Sequence, residues 1–478
     1  MNRNILLLLL LPAAAMAQAP SSAQIAERLT ANNLKADVSF LASDALQGRG
    51  TPSPGLDIAA EFIASQFRAA GLDPAGDDGY FQNAPFVQVT PDQEGRSLTL
   101  DIDGKTIAVD PAKFAVSDTV AAVDLKQAAV VIATTLDGLT PEQVGGKVLV
   151  MLPAAGGRRR VNPTILARLS PALVINLAAA GGLPPGPSRV RPADAPSVPT
   201  LMVWDPAMAE ALTPGAVDAK ISAHVAAPKV ESVKLRNVVG VLRGSDPALR
   251  DTYILVTGHY DHLGVRGTGS GDHIFNGAND DASGTSCVIE IARTLGSLSA
   301  RPKRSILFMA LFGEELGLLG SRYYAAHPIF PLAKTIADLN LEQMGRTDDN
   351  TGPRVGVVNA TGFDFTDITT LLAKAGDDFG IKLVKDEQNS DSFFARSDNQ
   401  ALADAGIPSH TFSVGYVFPD YHGAGDEWPK IDYENMAKVD RTIALGLWRI
   451  ADSAEVPHWN AANPKTEPYR KAAEALGK

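Results

Sequence analysis

Cysteine is almost absent from this 478-residue chain, and Cys287 is the only one. An intrachain disulfide is therefore excluded. The apolar run near the start, Ile5 to Leu11, falls short of the ~20 residues needed to span a bilayer. Positive charge is in deficit too: Lys and Arg number 43 against 54 Asp and Glu, for a formal net charge of -11. Such a surface repels phosphate backbones, so nucleic acid is not an expected partner. Nothing in the sequence sets an oligomeric state. The 45% of hydrophobic residues is ample for a large core, and the length implies more than one domain.

What is present at the start points to export. Arg3 supplies a positive charge before the apolar run, and Ala15-Met16-Ala17 fits the small-x-small pattern of a cleavage site. Residues 1–17 are therefore expected to be a cleaved signal peptide, with an uncleaved anchor as the alternative. The segment has no cysteine for a lipid anchor. An exported chain without disulfides fits a bacterial periplasm or exterior, so a periplasmic or secreted protein without a membrane anchor is expected. Cys287, among apolar residues of a predicted helix, reads as a buried, inert thiol.

The remainder divides by texture. Leu56 to Ala70 predicts an amphipathic helix with Ile58, Phe62, Ile63 and Phe67 on its apolar face and Gly71 ending it. From about 87 to 230 come short β-like runs between Pro and Gly turns, such as Ala129–Ala133, Lys147–Leu152 and Thr200–Trp204. These predict an inserted, mainly β domain over 87–230, between catalytic segments 18–86 and 231–478. Beyond Asn237 the pattern alternates. Strands are predicted at Tyr253–Thr257, Ser305–Leu311, Thr335–Leu341, Arg354–Val358 and Ser409–Val414, with helices at Ser283–Leu298 and Asn435–Ile450. This is an α/β pattern: a mixed, mostly parallel sheet with helices on both faces. Ligands of such sheets gather beyond the carboxyl ends of the strands.

Each of those ends delivers a carboxylate or an imidazole. Gly258-His259-Tyr260-Asp261-His262 follows the first strand, and Asn279-Asp280-Asp281-Ala282-Ser283-Gly284 opens the next helix. Gly313-Glu314-Glu315 follows the second strand and Glu342 the third, while Asp420-Tyr421-His422 stands in a late loop. Singly these signals are weak. Paired acids are common at helix starts, where the dipole favours them, and Asp280-Asp281 has the composition of an N-cap. As an ordered set at strand ends they form a zinc-ligand inventory of neutral imidazole and carboxylate oxygen.

With these motifs the sequence resembles the di-zinc peptidases that include secreted bacterial leucyl aminopeptidases and glutamate carboxypeptidases. The resemblance rests on Gly258–His262, Asn279–Gly284, Phe312–Ser321, Asn340–Arg346 and Tyr421–Asp426. Leu41–Gly71 resembles the family's lead-in, and the β-rich stretch resembles its inserted protease-associated domain. The resemblance implies a zinc-peptidase-like fold and two Zn2+ per chain. It implies metal ligation by His259, Asp280, Glu315, Glu342 and His422, with Asp280 bridging. His259 and Glu342 would serve one ion, Glu315 and His422 the other. Asp261 would fix the tautomer of His259, Glu314 would be the general base, and Tyr421 would donate to the oxyanion. Two departures stand out. Glu342 replaces the aspartate of many relatives, and Asn399 follows Asp398 where relatives often carry histidine.

The implied activity is exopeptidase, foremost an aminopeptidase cleaving the N-terminal peptide bond through a water shared by the two metals. A carboxypeptidase or dipeptidase with the same centre is the alternative, for which Arg266, Arg346 and Arg396 are the candidate carboxylate grips. A non-catalytic binding ectodomain would be expected to have lost ligands or base, and none is lost here. His262 and His273 flank the Gly264–Gly277 loop and are expected near substrate. His327 and His410 read as structural, and Trp428 and Tyr433 as packing residues.

Overall fold

A computed structural model of the chain describes residues 19–153, 163–178, 186, 188–213 and 218–477. The expected signal peptide at 1–17 lies outside the described residues. Within them no helix is long and apolar enough to cross a membrane. The chain forms two compact units, one made of the stretches up to Ala84 and from Leu235 onward, the other of Pro85–Lys234.

The first unit carries the expected α/β architecture. Its main strands are β1 (Lys229–Leu242, which belongs to this unit from Leu235), β2 (Tyr253–His259), β3 (Ser305–Leu311), β4 (Thr335–Leu341), β5 (Val357–Ala360), β6 (Lys382–Val384) and β7 (Ser409–Ser413). They lie in the order β6-β5-β7-β4-β2-β3-β1. The centre is parallel, because β2 pairs in parallel with β3 and β4, and β4 with β7. β1 and β5 run antiparallel to β3 and β7. Every residue of β2, β3, β4 and β7 is buried; β2 and β3 read accordingly as largely apolar runs, whereas β4 and β7 carry buried polar residues such as Asp338, Asn340 and His410 that are satisfied by hydrogen bonds. β5 begins three residues later than expected, since Gly356, at φ 73°, interrupts the extended chain just before it.

Four helices matter for the site: α1 (Ala31–Leu41), α2 (Pro54–Ala69), α3 (Gly284–Gly296) and α4 (Tyr433–Asp452). Ser53 caps α2 by accepting from the Leu56 amide at 3.1 Å, ahead of Pro54 in the first turn. The apolar face of α2 differs from the expected one. Leu56, Ala59, Ala60, Ile63 and Phe67 are buried, whereas Ile58 is 47% exposed. With 3.6 residues per turn, Ile58 falls roughly 200° round from Leu56. Phe62 instead stacks on Phe40 of α1, ring centroids 4.4 Å apart. α3 and α4 bury their expected stripes, including Val288, Ile291 and Leu295, and Met436, Val439, Ile443 and Leu447. Cys287 is fully buried in α3, and burial pushes its thiol well above the usual range, which keeps it inert.

The second unit is built on an eight-stranded sheet with short helices. Alternation along its strands divides its core. Val148, Val150, Leu173 and Ile175 pack into one cluster, and the intervening Leu149, Met151 and Val174 into another.

Candidate active site

Register puts the chemistry together. In the parallel sheet His259 stands opposite Leu311, and Thr257 opposite Asn340. Two residues on from that second pair come His259 and Glu342, while Glu314 and Glu315 begin the turn after β3. Asp280 enters from the turn before α3, and His422 from the loop after β7.

The side chains converge on Asp280. Its Oδ1 lies 3.2 Å from His259 Nε2, and its Oδ2 lies 3.1 Å from His422 Nε2. His422 Nε2 is also 3.4 Å from Glu315 Oε2. Ligand atoms of His259, Asp280 and Glu342 fall within 4.8 Å of one another, as do those of His262, Asp280 and Glu315. Asp280 belongs to both groups. Thus the structure brings together all five residues expected as ligands from sequence, and adds His262.

His262 is a departure from the expectation. It does not face substrate from the loop; it is buried, with Nδ1 2.7 Å from Glu315 Oε1. Burial depresses it to about 3, so it stays neutral. Its place three residues after His259, just beyond the strand end, was the available signal. Asp261 also behaves differently in detail. His259 Nδ1 is 3.2 Å from the Asp261 main-chain carbonyl and 3.5 Å from its carboxylate. The carboxylate instead accepts from the Glu314 amide and the Thr51 hydroxyl, both at 3.0 Å. It therefore steadies the turn that presents Glu314 and fixes His259 through its own carbonyl.

Side chains of the Asn279–Gly284 segment hold the ligand-bearing loop after β4. Asp281 accepts from the amides of Gly284 and Gln343, and Asn279 from those of Gly345 and Arg346. The Met344 amide donates to Ser283 Oγ at 2.8 Å. From the loop carrying His422, Asp426 accepts from the Asn279 and Asp280 amides at 3.0 Å. Arg49 was another residue not singled out from sequence. Fully buried, it donates to the carbonyls of Leu41, Tyr260, Asn276 and Gly277, tying the lead-in to the segments that carry His259 and Asp280. Burial lowers it to about 10, which leaves a cation beside the site's acids.

The electrostatics are those of a cation site. Burial, followed by the charge of Asp280, pushes Glu315 up to about 8. Burial also drives Glu314 well above the carboxylate range, with repulsion from Glu342 and Asp398 adding to it. At Asp280 burial acts in the raising direction, but His259 and His422 outweigh it and hold the carboxyl well below its usual value. Several of these atoms have no hydrogen-bond partner despite full burial: His259 Nε2, Asp281 Oδ2, Glu315 Oε1 and Glu342 Oε2. Unpaired buried polar atoms cost free energy, and here imidazole nitrogen and carboxylate oxygen converge without hydrogen-bond geometry. That donor set fits zinc.

The other candidate residues sort clearly. Tyr421 stacks on His422, ring centroids 4.1 Å apart. Asn399 faces the core, accepting from Thr411 Oγ1 and donating to the Phe394 carbonyl. Arg346 is held by Asp348 and Asp420, Arg266 donates to the Leu263 carbonyl, and Arg396 Nη2 lies 3.5 Å from Tyr421 Oη. His410 is structural, with Nδ1 2.6 Å from the Thr361 carbonyl and Nε2 2.6 Å from Thr366 Oγ1.

Residues 237–446 match Peptidase family M28. Aminopeptidase YwaD of Bacillus subtilis is 26% identical over 228 residues, 46% of each chain. A Zea mays protein named "Probable glutamate carboxypeptidase VP8" is 29% identical over 263 residues, covering 51% of this chain and 34% of that one. The chain spans about a quarter to a half of the length of the curated relatives it matches. An aminopeptidase from Aneurinibacillus sp. strain AM-1 shares the fold, with TM-score 0.59 and 21% identity over 91% of this chain and 97% of that one. The segment that matches Peptidase family M28, residues 237–446, includes every candidate ligand from His259 to His422.

Proposed function

We propose that this chain is a zinc-dependent exopeptidase, an aminopeptidase that hydrolyses the N-terminal peptide bond. The observation that carries the reading is Asp280, whose two oxygens face His259 at 3.2 Å and His422 at 3.1 Å. One carboxylate presented to two ligand groups is the arrangement a bridged metal pair requires. His259, Asp280 and Glu342 would hold one zinc, and Asp280, Glu315 and His422 the other. When bound, the zinc ions supply Lewis acidity toward the scissile carbonyl and acidify water at neutral pH.

The protein groups divide the remaining work. Glu314, presented by the Asp261-anchored turn, takes the proton of the attacking water and delivers it to the departing amine. Its raised proton affinity suits both transfers. The Tyr421 hydroxyl donates to the oxygen that gains charge, and the His422 ring stacked on it limits its motion. His262 backs the carboxylate of Glu315. The leader composition of residues 1–17 supports a periplasmic or secreted location. The insertion at 85–234 is read as protease-associated-like.

Metal analysis paired with a panel of aminoacyl chromogenic substrates and N-acetylated controls tests the reading. Two zinc per chain with turnover only of free amines is the expected result. Turnover confined to blocked peptides would move the assignment to the carboxypeptidase alternative. A chain that binds no metal, even with zinc added, would refute the enzyme.

A further inference from the structure

Helix α3 carries a second group of buried polar atoms that the mechanism does not use. Ser286, Glu290 and Thr294 recur every fourth residue and so share one face, all of them buried. Ser286 Oγ, Glu290 Oε2 and Thr294 Oγ1 have no hydrogen-bond partner. A buried helical hydroxyl ordinarily bonds back to the carbonyl four residues earlier, as Thr442 does to Lys438 in α4. Asp440 is fully buried on α4, which packs against α3, and neither of its oxygens meets an N–H or O–H donor.

These groups converge. The Cys287 thiol bonds to Asp440, and Glu290 is the charge that acts most strongly on that carboxyl. Round the helix, Glu290 falls between Ser286 and Cys287, roughly 40° from one and 60° from the other. The Asp440 carboxyl therefore faces the sector of Ser286 and Glu290. The charges there do not balance. Arg293 donates to Asp37, at 2.7 Å, and to Glu290, while Arg441 donates to the Leu29 carbonyl instead. Three buried carboxyls, those of Asp37, Glu290 and Asp440, thus share one guanidinium, which leaves two negative charges in excess. A proton on Asp440 would cancel one of them and satisfy one further oxygen. A divalent cation cancels both and accepts every oxygen at once.

We propose that Asp440, Glu290 and Ser286 form a site for a hard divalent cation, calcium or magnesium, between α3 and α4. Its donors are all oxygen, which suits such ions and sets it apart from the imidazole-bearing centre. Cys287, a soft donor kept neutral by burial, stays outside the set. The ion would clamp α3, whose first turn follows Asp280, to α4. The inference is independent of the exopeptidase reading.

The full chain, unfolded and then refolded in zinc alone, zinc with calcium or zinc with magnesium, tests it, because a buried ion enters as the chain folds. Elemental analysis and scanning calorimetry are the readouts. Wild type is expected to keep one calcium or magnesium per chain beyond its zinc after dialysis, and to melt several degrees higher than the zinc-only sample. Asp440→Asn should keep zinc and lose both the extra ion and the rise. Ser286→Ala, the milder change, should raise the concentration needed for half the rise roughly tenfold, for one lost contact to a charge. Wild type with no metal beyond zinc and an unmoved transition overturns the site. So does an extra ion that Asp440→Asn retains. An Asp440→Asn chain that melts as high as wild type in every buffer also overturns it, since a shared proton then settles the pair. Should Asp440→Asn fail to fold, Ser286→Ala decides, and an unchanged requirement for the ion overturns the site.

Discussion

At the scale of single residues, the reacting groups can be separated from those that hold them. Glu314 takes no part in the pairs around Asp280, so Glu314→Gln should keep zinc near two per chain while kcat falls by about 10²–10⁴. Elemental analysis beside kinetics checks this, and a normal rate would remove Glu314 from the base role. Away from the metals, His410 predicts a pH effect on stability. Fully buried, it is depressed to about 4 by loss of solvation, with Nδ1–H donating to the Thr361 carbonyl and Nε2 accepting from Thr366. An unfolded chain titrates histidine near its ordinary value of about 6.5, so it binds the proton first as pH falls. Stability linked to His410 is therefore lost between about pH 6.5 and 4, on the order of 3 kcal/mol. Denaturant titrations across that range should show a shallower loss for His410→Gln; parallel curves would contradict the assignment.

At the scale of elements, the centre depends on one close approach. Gly284 begins α3 where the chain after β4 passes, and an added Cβ there would lie 2.1 Å from the Leu341 carbonyl and 2.5 Å from the Asp281 carboxylate. Both neighbours are fixed, so Gly284→Ala must push α3 away from the loop that carries Glu342. Overpacking of this kind costs about 1–3 kcal/mol. The variant should melt lower and bind zinc more weakly, although no ligand has changed. Asp426 makes the complementary point from the far loop. Removing its carboxylate leaves the Asn279 and Asp280 amides without partners, and Asp426→Ala should weaken zinc binding by calorimetric titration. Zinc affinity equal to wild type would show that Asp280 is positioned without it.

At the scale of the whole molecule, two units with separate cores imply separable unfolding. The metal-ligand clusters found among the described residues lie in the first unit, and the second has its own apolar clusters. A ligand that binds only the folded form raises stability by mass action, so chelation should lower the transition of the first unit alone. Scanning calorimetry with and without chelator should show one transition moving and one staying. A single transition moving as a whole would mean that the units unfold together.

The strands and the ligand types were legible in the sequence because both are local. A strand buried on both faces reads as an apolar run, and the residues just past its end read as chemistry, as with Tyr253–His259 and then Asp261. Helix α3 was legible through its repeating stripe. The outward turn of Ile58 was not, because the facing partner of a helix selects which apolar residues are covered. The pairing of Asp280 oxygens with His259 and His422, the burial of His262 against Glu315, and the four carbonyls gathered by Arg49 were decided only in three dimensions. Each joins segments far apart in the chain, and their distances depend on strand register and loop closure. Composition and local spacing determine which residues can carry zinc chemistry here; the parallel sheet decides which of them meet.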